Sequence, residues 1–380
     1  MAQARRTAQK AITCPSAPVM GMIVIPWRLA HKSLKSPPHT WMCLMNSFTN
    51  PLAQHAQPLC DAHGRLEPNA IGWSSRPQVN CAMPRNLGRR KRWNHWCITT
   101  PDWMLALTFA DLDYLGYGAA YFLDLRSGKS ASRTQLRPFG QGCDLPDTPL
   151  QSHAFRHSRL QLRADDRGST IRLTAMAPDI GGQPLQVALD IQRPAHLESV
   201  NLICPMGRRT FHATSRQLGL PVTGNLQLGG RQYLCTPGQS FASLDFARGV
   251  WPLKSHWTRA AFAAPGGIAG NFGTGWCDYS GLSENALWFG GELLHLEERV
   301  EIERPPSGPL EPWNLYSASG QVELRFTPRQ QHQACPRLGP LYADTRQWFG
   351  CFDGVLRGPQ GEKVPVSSAY GWVGATHARW

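Results

Sequence analysis

Arg159-Leu160-Gln161-Leu162-Arg163 and Thr170-Ile171-Arg172-Leu173-Thr174 alternate polar and apolar residues on either side of Asp165-Asp166-Arg167-Gly168. A period of two puts Leu160 and Leu162 on one face of a strand, and likewise Ile171 and Leu173, a pattern no helix reproduces. The linking tetrapeptide ends in a glycine that tolerates positive φ, so the stretch predicts an antiparallel hairpin. The same grammar recurs along the chain. Leu226 to Leu228 and Gln232 to Leu234 flank Gly229-Gly230, and Leu287 to Phe289 and Leu293 to Leu296 flank Gly290-Gly291. Trp313 to Tyr316 turns at Ser319-Gly320 into Val322 to Phe326, and Gly361 separates Phe352 to Arg357 from Val364 to Val366. Trp103 to Leu125 holds two strand-like runs divided near Gly116 and Gly118. No segment beyond Pro58 sustains helical periodicity over three turns with caps at both ends.

Composition points the same way. With 36 Gly and 31 Pro in 380 residues, the chain is punctuated too often for long helices. Fourteen Trp, fourteen Phe and eight Tyr supply bulky apolar surface that a disordered or fibrous chain lacks. The expected class is all-β, with antiparallel barrels or curved sheets in two domains, 49–240 and 241–380.

The formal charge of +13 is unevenly placed: residues 1 to 60 carry six of the 39 Lys/Arg and none of the 26 Asp/Glu. Residues 1–48 therefore read as a disordered basic tail, or as an extension upstream of a working start at Met42 or Met45. The longest apolar run, Val19 to Trp27, is about half the roughly 20 residues a bilayer span requires and is broken by Gly21 and Pro26, so no transmembrane segment is expected. It is followed by Arg28, Lys32 and Lys35 where a signal peptide would carry small cleavage-site residues. Eleven cysteines without a C-x-x-C pair or a repeated spacing disfavour a disulfide framework and a Cys-rich zinc site, and read as reduced cytoplasmic thiols.

From Pro58 onward a series of motifs stands in a recognisable order: Gly64-Arg65-Leu66, Gly72-Trp73-Ser74-Ser75-Arg76-Pro77, Lys91-Arg92-Trp93-Asn94-His95-Trp96 and Asp111-Leu112-Asp113-Tyr114. Leu244-Asp245-Phe246-Ala247-Arg248-Gly249-Val250-Trp251-Pro252 and Gly270-Asn271-Phe272-Gly273 continue it. Glu284-Asn285-Ala286-Leu287, Phe326-Thr327-Pro328, Gln347-Trp348-Phe349-Gly350 and Gly371-Trp372 to Arg379-Trp380 complete it. In these the chain resembles the bacterial domain-of-unknown-function family 2804. More distantly it is similar in architecture to the lipocalin-like proteins that include carotenoid hydratase and tocopherol cyclase relatives. The resemblance implies two lipocalin-like barrels or curved sheets in tandem. It also implies acids at two places where this chain has none: Gly290-Gly291 replaces an Asp-Gly turn, and Gly374 stands in the terminal Gly-Trp segment.

Three catalytic candidates emerge. Asp111 and Asp113, two apart in a strand-like run, would share a face about 7 Å apart beside Phe109. On an inner face such carboxylates repel, raise at least one pKa and form an acid/base pair; at a turn they cap backbone amides instead. His95, between Trp93 and Trp96, suits an acid or base in an aromatic pocket, and equally a packed core. The ligand-binding candidates are Trp93, Trp96, Tyr114, Asp245, Arg248, Trp251, Asn271, Glu284 and Asn285. Among these, Asp245 and Arg248 would pair, with Trp251 as a wall. Gly270, Gly273 and Gly275 do not form G-x-G-x-x-G, so no nucleotide cofactor is expected. His153 and His157, four apart on a strand, would lie about 13 Å apart, too far for one ion, and no metal site is expected. There is no G-x-S-x-G nucleophile motif. Arg85, Arg89, Arg90, Lys91 and Arg92 form the one dense basic run, readable as a solvated loop, a phosphate contact or an anionic membrane contact.

The expected function is binding of a hydrophobic or amphipathic small molecule, lipid or isoprenoid-like, in an aromatic-rich β-barrel cavity of a cytoplasmic protein. A hydratase, cyclase or isomerase acting on such a ligand is the alternative. A basic nucleic-acid-associated module is the second alternative, with no specific nucleic-acid partner expected. Ligand identity and oligomeric state are not legible in the sequence.

Overall fold

The computed structural model describes residues 57–380 apart from 87, 279, 306, 307 and 309. The tail read in residues 1–48 lies outside the described residues. Among the described residues there is no α-helix and one 3-10 turn, Pro68–Ala70; apart from a small two-stranded sheet in which Gln57–Pro58 pairs parallel with Val79–Asn80, the strands pair antiparallel.

Two curled sheets divide the chain. The first runs, in hydrogen-bonding order, through Ser130–Pro138, Leu115–Asp124, Trp103–Asp111, Arg90–Thr99, Phe241–Val250, Thr210–Leu228, Gln183–Gln192, Thr170–Ile180, Leu160–Asp166, His153–His157 and Cys143–Asp144. The second runs through Glu292–His295, Ala286–Phe289, Ile268–Thr274, Lys254–Ala264, Lys363–Arg379, Leu341–Arg357, Val322–Ala334, Trp313–Ser317 and Val300–Glu303. The change of sheet falls between Val250 and Lys254. Phe241–Val250, which opens the second of the two regions read from sequence, is hydrogen-bonded within the first sheet.

The hairpins read from alternation form as expected except in Trp103 to Leu125, where the turn falls at residues 112–114 and Gly116 and Gly118 lie within the strand Leu115–Asp124, paired with Asp111 and Phe109. Leu160–Asp166 pairs with Thr170–Ile180 around Gly168 at φ +85, and Gly290-Gly291 turns with φ +61 and +96, a pair of angles that side chains adopt with strain. The long strand Thr210–Leu228 makes the corner of the first sheet. Its first half pairs with Val200–Gly207 and Phe241–Val250, and its second with Gln183–Gln192 and Arg231–Leu234, with a register shift between Gln217 and Leu220.

Each sheet curls around its own apolar core. In the first, Trp96, Phe109, Phe122, Phe155, Leu173 and Leu226 pack together. A Cβ on Gly118 would meet the Phe155 ring at 2.2 Å, so Leu115–Asp124 approaches His153–His157 across this interior as closely as glycine permits. In the second, Phe262, Phe272, Trp313, Phe326, Trp348 and Phe352 do the same. A third core, including Cys97, Met104, Tyr121, Trp251, Trp276, Phe349 and Trp372, lies where the outer face of the first sheet meets the second. Strand parity explains this division. Along Arg90–Thr99 the residues Trp96 and Ile98 point into the first sheet's own core, and Cys97 points to the junction. Trp103–Asp111 is buried at every position because both of its faces are covered, which is why it reads as apolar from Trp103 to Ala110 with Thr108 as the one interruption.

Candidate functional site

A cavity of about 360 Å³ lies at this junction, walled by both sheets. This corrects the expected location: the space is between the curled sheets, because the interior of each is filled by large side chains. Trp93, Tyr117, Tyr121, Trp251, Trp257, Trp276, Trp372 and Trp380 supply aromatic wall. One side is open along the edge strand Ser130–Pro138, whose Ser132, Thr134 and Leu136 line it, and opposite stands the hairpin joining Val322–Ala334 to Leu341–Arg357.

Register builds the polar part. Thr108, His95, Asp245 and Arg216 are cross-strand neighbours in one row over four adjacent strands, and all four line the cavity. Thr108 Oγ1 lies 2.8 Å from His95 Nδ1 and holds the ring. No hydrogen bond occupies His95 Nε2 among the described residues, and the half-buried ring presents surface to the cavity. Burial, reinforced by Arg259 and Arg216, pushes the His95 pKa down to about 4, so the imidazole is neutral at pH 7. His212, stacked on Trp276 with ring centroids 4.8 Å apart, is driven down to about 3 chiefly by burial and then by Arg216.

Behind the row sits an ion cluster that clasps the two sheets. Arg216 and Asp245 come from the first sheet, Arg259 from the second, and Glu284 from the segment just before Ala286–Phe289. Asp245 pairs with both guanidinia. Arg216 Nε meets Glu284 Oε2 at 3.0 Å, and Arg259 Nε meets Glu284 Oε1 at 3.5 Å. Arg259 Nη2 donates to Asn271 Oδ1 at 3.2 Å, and Asn271 Nδ2 donates to the Glu284 carbonyl at 2.8 Å. Two cations and two anions balance, which is how such groups survive burial. Burial works against the Glu284 carboxylate, but Arg259 and Arg216 outweigh it and bring its pKa down to about 2.

The residues singled out in the sequence divide accordingly. His95, Trp93, Tyr114, Asp245 and Trp251 line the cavity, and Glu284 and Asn271 stand behind it. Asn285 instead ties neighbouring backbone together, its Oδ1 accepting the Gly273 amide and its Nδ2 donating to the Glu298 carbonyl. Trp96 is on the opposite face of its strand, where its Nε1 donates to His153 Nε2 at 3.0 Å. Arg248 also faces away. It is three residues from Asp245, which on a strand means opposite sides, and it donates to the backbone carbonyls of Pro146, Trp93 and Ala247 in place of pairing with Asp245.

Asp111 and Asp113 do not share a strand face. The strand ends at Asp111, and Asp113 sits in the turn at φ +76. Asp113 accepts the amides of Gly88 and Asn86 and the Arg85 guanidinium, while Asp111 accepts Arg90 at 2.7 Å and the Asp113 amide. Neither lines the cavity. Asp113 and Asp111 thus hold Arg85 and Arg90, and the rest of the basic run is engaged elsewhere: Arg92 pairs with Asp147, Arg89 donates to the Trp251 carbonyl, and the Lys91 ammonium is buried against the Gly88 and Leu112 carbonyls.

Arg216, Arg259, His212, Trp257 and Trp276 were not singled out beforehand. Each stands in an ordinary strand or loop sequence, and only pairing across strands and between sheets brings it to the site. Gly374, where the resemblance implied an acid, lies on the cavity wall directly cross-strand from Arg259.

Fold and site together define a double-sheet β-protein with a solvent-connected aromatic cavity at the junction. The chain belongs to the family described as domain of unknown function (DUF2804), whose family model matches residues 51–380. Among curated proteins no sequence matches it. Among solved structures it is similar to an AttH candidate from Nitrosomonas europaea, with 11% identity, a TM-score of 0.49, and coverage of 82% of this chain and 98% of that one. It is also similar to kievitone hydratase from Nectria haematococca, with 13% identity, a TM-score of 0.46, and coverage of 86% of this chain and 98% of that one.

Proposed function

We propose that the protein binds a hydrophobic or amphipathic small molecule between its two sheets, with its apolar body on the tryptophan and tyrosine wall and a polar group at His95 Nε2. The observation that carries this reading is the cavity itself: about 360 Å³, within the range of small-molecule sites, largely apolar, with few convergent polar groups. Neutral His95 is suited to exchanging a hydrogen bond with an uncharged oxygen. The same low pKa makes it a weak base, so binding is favoured over proton abstraction. Acid/base turnover by a hydratase, cyclase or isomerase is the second reading, supported by one feature: Thr108 fixes the ring while its other nitrogen faces the space where a ligand would lie. A nucleic-acid module is disfavoured because the basic run is engaged internally. A cytoplasmic setting is supported by nine cysteines free of disulfides among the described residues, and no helix there is long and apolar enough to cross a membrane.

The test is native mass spectrometry of the purified protein, followed by solvent extraction of whatever copurifies. A single bound small molecule, lost in a variant whose cavity is filled by Ala247→Trp, is the expected result. An empty native protein that also fails to bind apolar fluorescent probes would overturn the reading.

A further inference from the structure

The charges around the cavity specify more than apolarity. At its inner end every ionised group is answered, since Arg216 and Arg259 bracket Asp245 and Glu284. Two further guanidinia line the cavity, those of Arg337 and Arg379, and among the described residues neither has a carboxylate partner. Arg337 is exposed on the short strand Arg337–Leu338 and lies over the Tyr342 ring, 5.8 Å from its centroid. Arg379 is cross-strand from Tyr342, which also lines the cavity, so the two cations flank one side of the opening. The nearby carboxylate of Asp344 does not line the cavity and is engaged by Gln333 and Arg346.

We propose that the ligand is an amphipathic acid, whose single anionic head rests on Arg337 and Arg379 at the opening and whose apolar body runs inward along the aromatic wall toward His95. This deepens the binding reading above and rests on it. The orientation follows from electrostatics. An anion at the inner end would add a third negative charge beside Asp245 and Glu284, in a place where desolvation is costly. At the opening the same head keeps part of its hydration and meets two cations that have no carboxylate partner among the described residues. Leu136 and Tyr342, both partly exposed at the opening, would then contact the first methylenes of the ligand.

Dodecanoate and dodecanol separate the two ideas, because they share a chain and differ in head charge at pH 7.5. Both are titrated by intrinsic tryptophan fluorescence against the native protein and the double variant Arg337→Gln/Arg379→Gln, at low and high salt. The expected result is tighter binding of dodecanoate than of dodecanol, with a roughly three- to thirtyfold loss for dodecanoate in the double variant and no change for dodecanol. High salt should weaken dodecanoate alone. Dodecanol binding that is retained in the variant also shows that the variant is folded. Equal affinities for the two ligands, unaffected by the substitutions, would overturn the anionic-head assignment and leave the cavity reading standing. Failure of both ligands to bind native protein would overturn both.

Discussion

Replacing Glu284 by Gln keeps side-chain volume and removes one negative charge from a buried cluster in which two guanidinia face two carboxylates. The folded carboxyl titrates at about 2 against an ordinary 4.5, and at about 1.4 kcal/mol per unit this difference is worth roughly 3 kcal/mol. Loss of one partner from a buried ion pair is expected on separate grounds to cost about 3–5 kcal/mol. The two routes agree, so urea unfolding at pH 7 should show the variant less stable by about 3 kcal/mol with an unchanged m-value. The pH dependence fixes the sign. A carboxyl whose folded pKa is depressed contributes fully above pH 4.5 and loses that contribution as pH falls toward 2. The native protein should therefore lose stability over that window while the Gln variant lacks this component, and the two stability curves should converge toward pH 2. A loss below about 1 kcal/mol at pH 7, or a gap that stays constant down to pH 2, would refute the view that ionised Glu284 clasps the sheets.

Other expectations follow from the same geometry. Asp113→Asn should cost about 1–3 kcal/mol in a denaturant melt, since the carboxylate accepts two backbone amides and Arg85, and stabilisation by the change would restore a functional role for it. Gly118→Val should destabilise by about 2 kcal/mol or more in the same assay, because its Cβ falls 2.2 Å from the Phe155 ring. The burial-depressed pKa values of His95 and His153, each about 4, mean that the unfolded chain takes up their protons first; stability should decline as pH falls from 6.5 to 4, and His95→Gln should flatten part of that decline. His95→Phe should leave dodecanoate affinity within about threefold but weaken a ligand carrying a hydroxyl at its inner end, measured by fluorescence titration.

Strand identity was legible because its causes are local. Alternation along Leu160–Asp166 and Thr170–Ile180, and glycines at Gly168, Gly229 and Gly290, act over a few residues and need no knowledge of the rest of the chain. Asp113 shows the limit of such reasoning: extending the strand two residues too far placed it on a face with Asp111, whereas positive φ at that position turns the chain and gives its carboxylate to backbone amides. Parity along a strand was equally readable, but not which parity meets the second sheet. Trp96 and Arg248 were therefore grouped with Trp93 and Asp245 although they face the other way.

By itself the sequence determined an all-β chain of antiparallel hairpins, its aromatic stock and the presence of His95 and Asp245 among its polar residues. Only the tertiary structure decided that Thr108, His95, Asp245 and Arg216 form one row, that Arg259 and Glu284 close on it from a second sheet, and that the open space lies between the sheets. The physical reason is that cross-strand register and sheet-to-sheet docking are set by how large side chains fill the two interiors. That packing joins residues more than a hundred positions apart, where no local pattern links them.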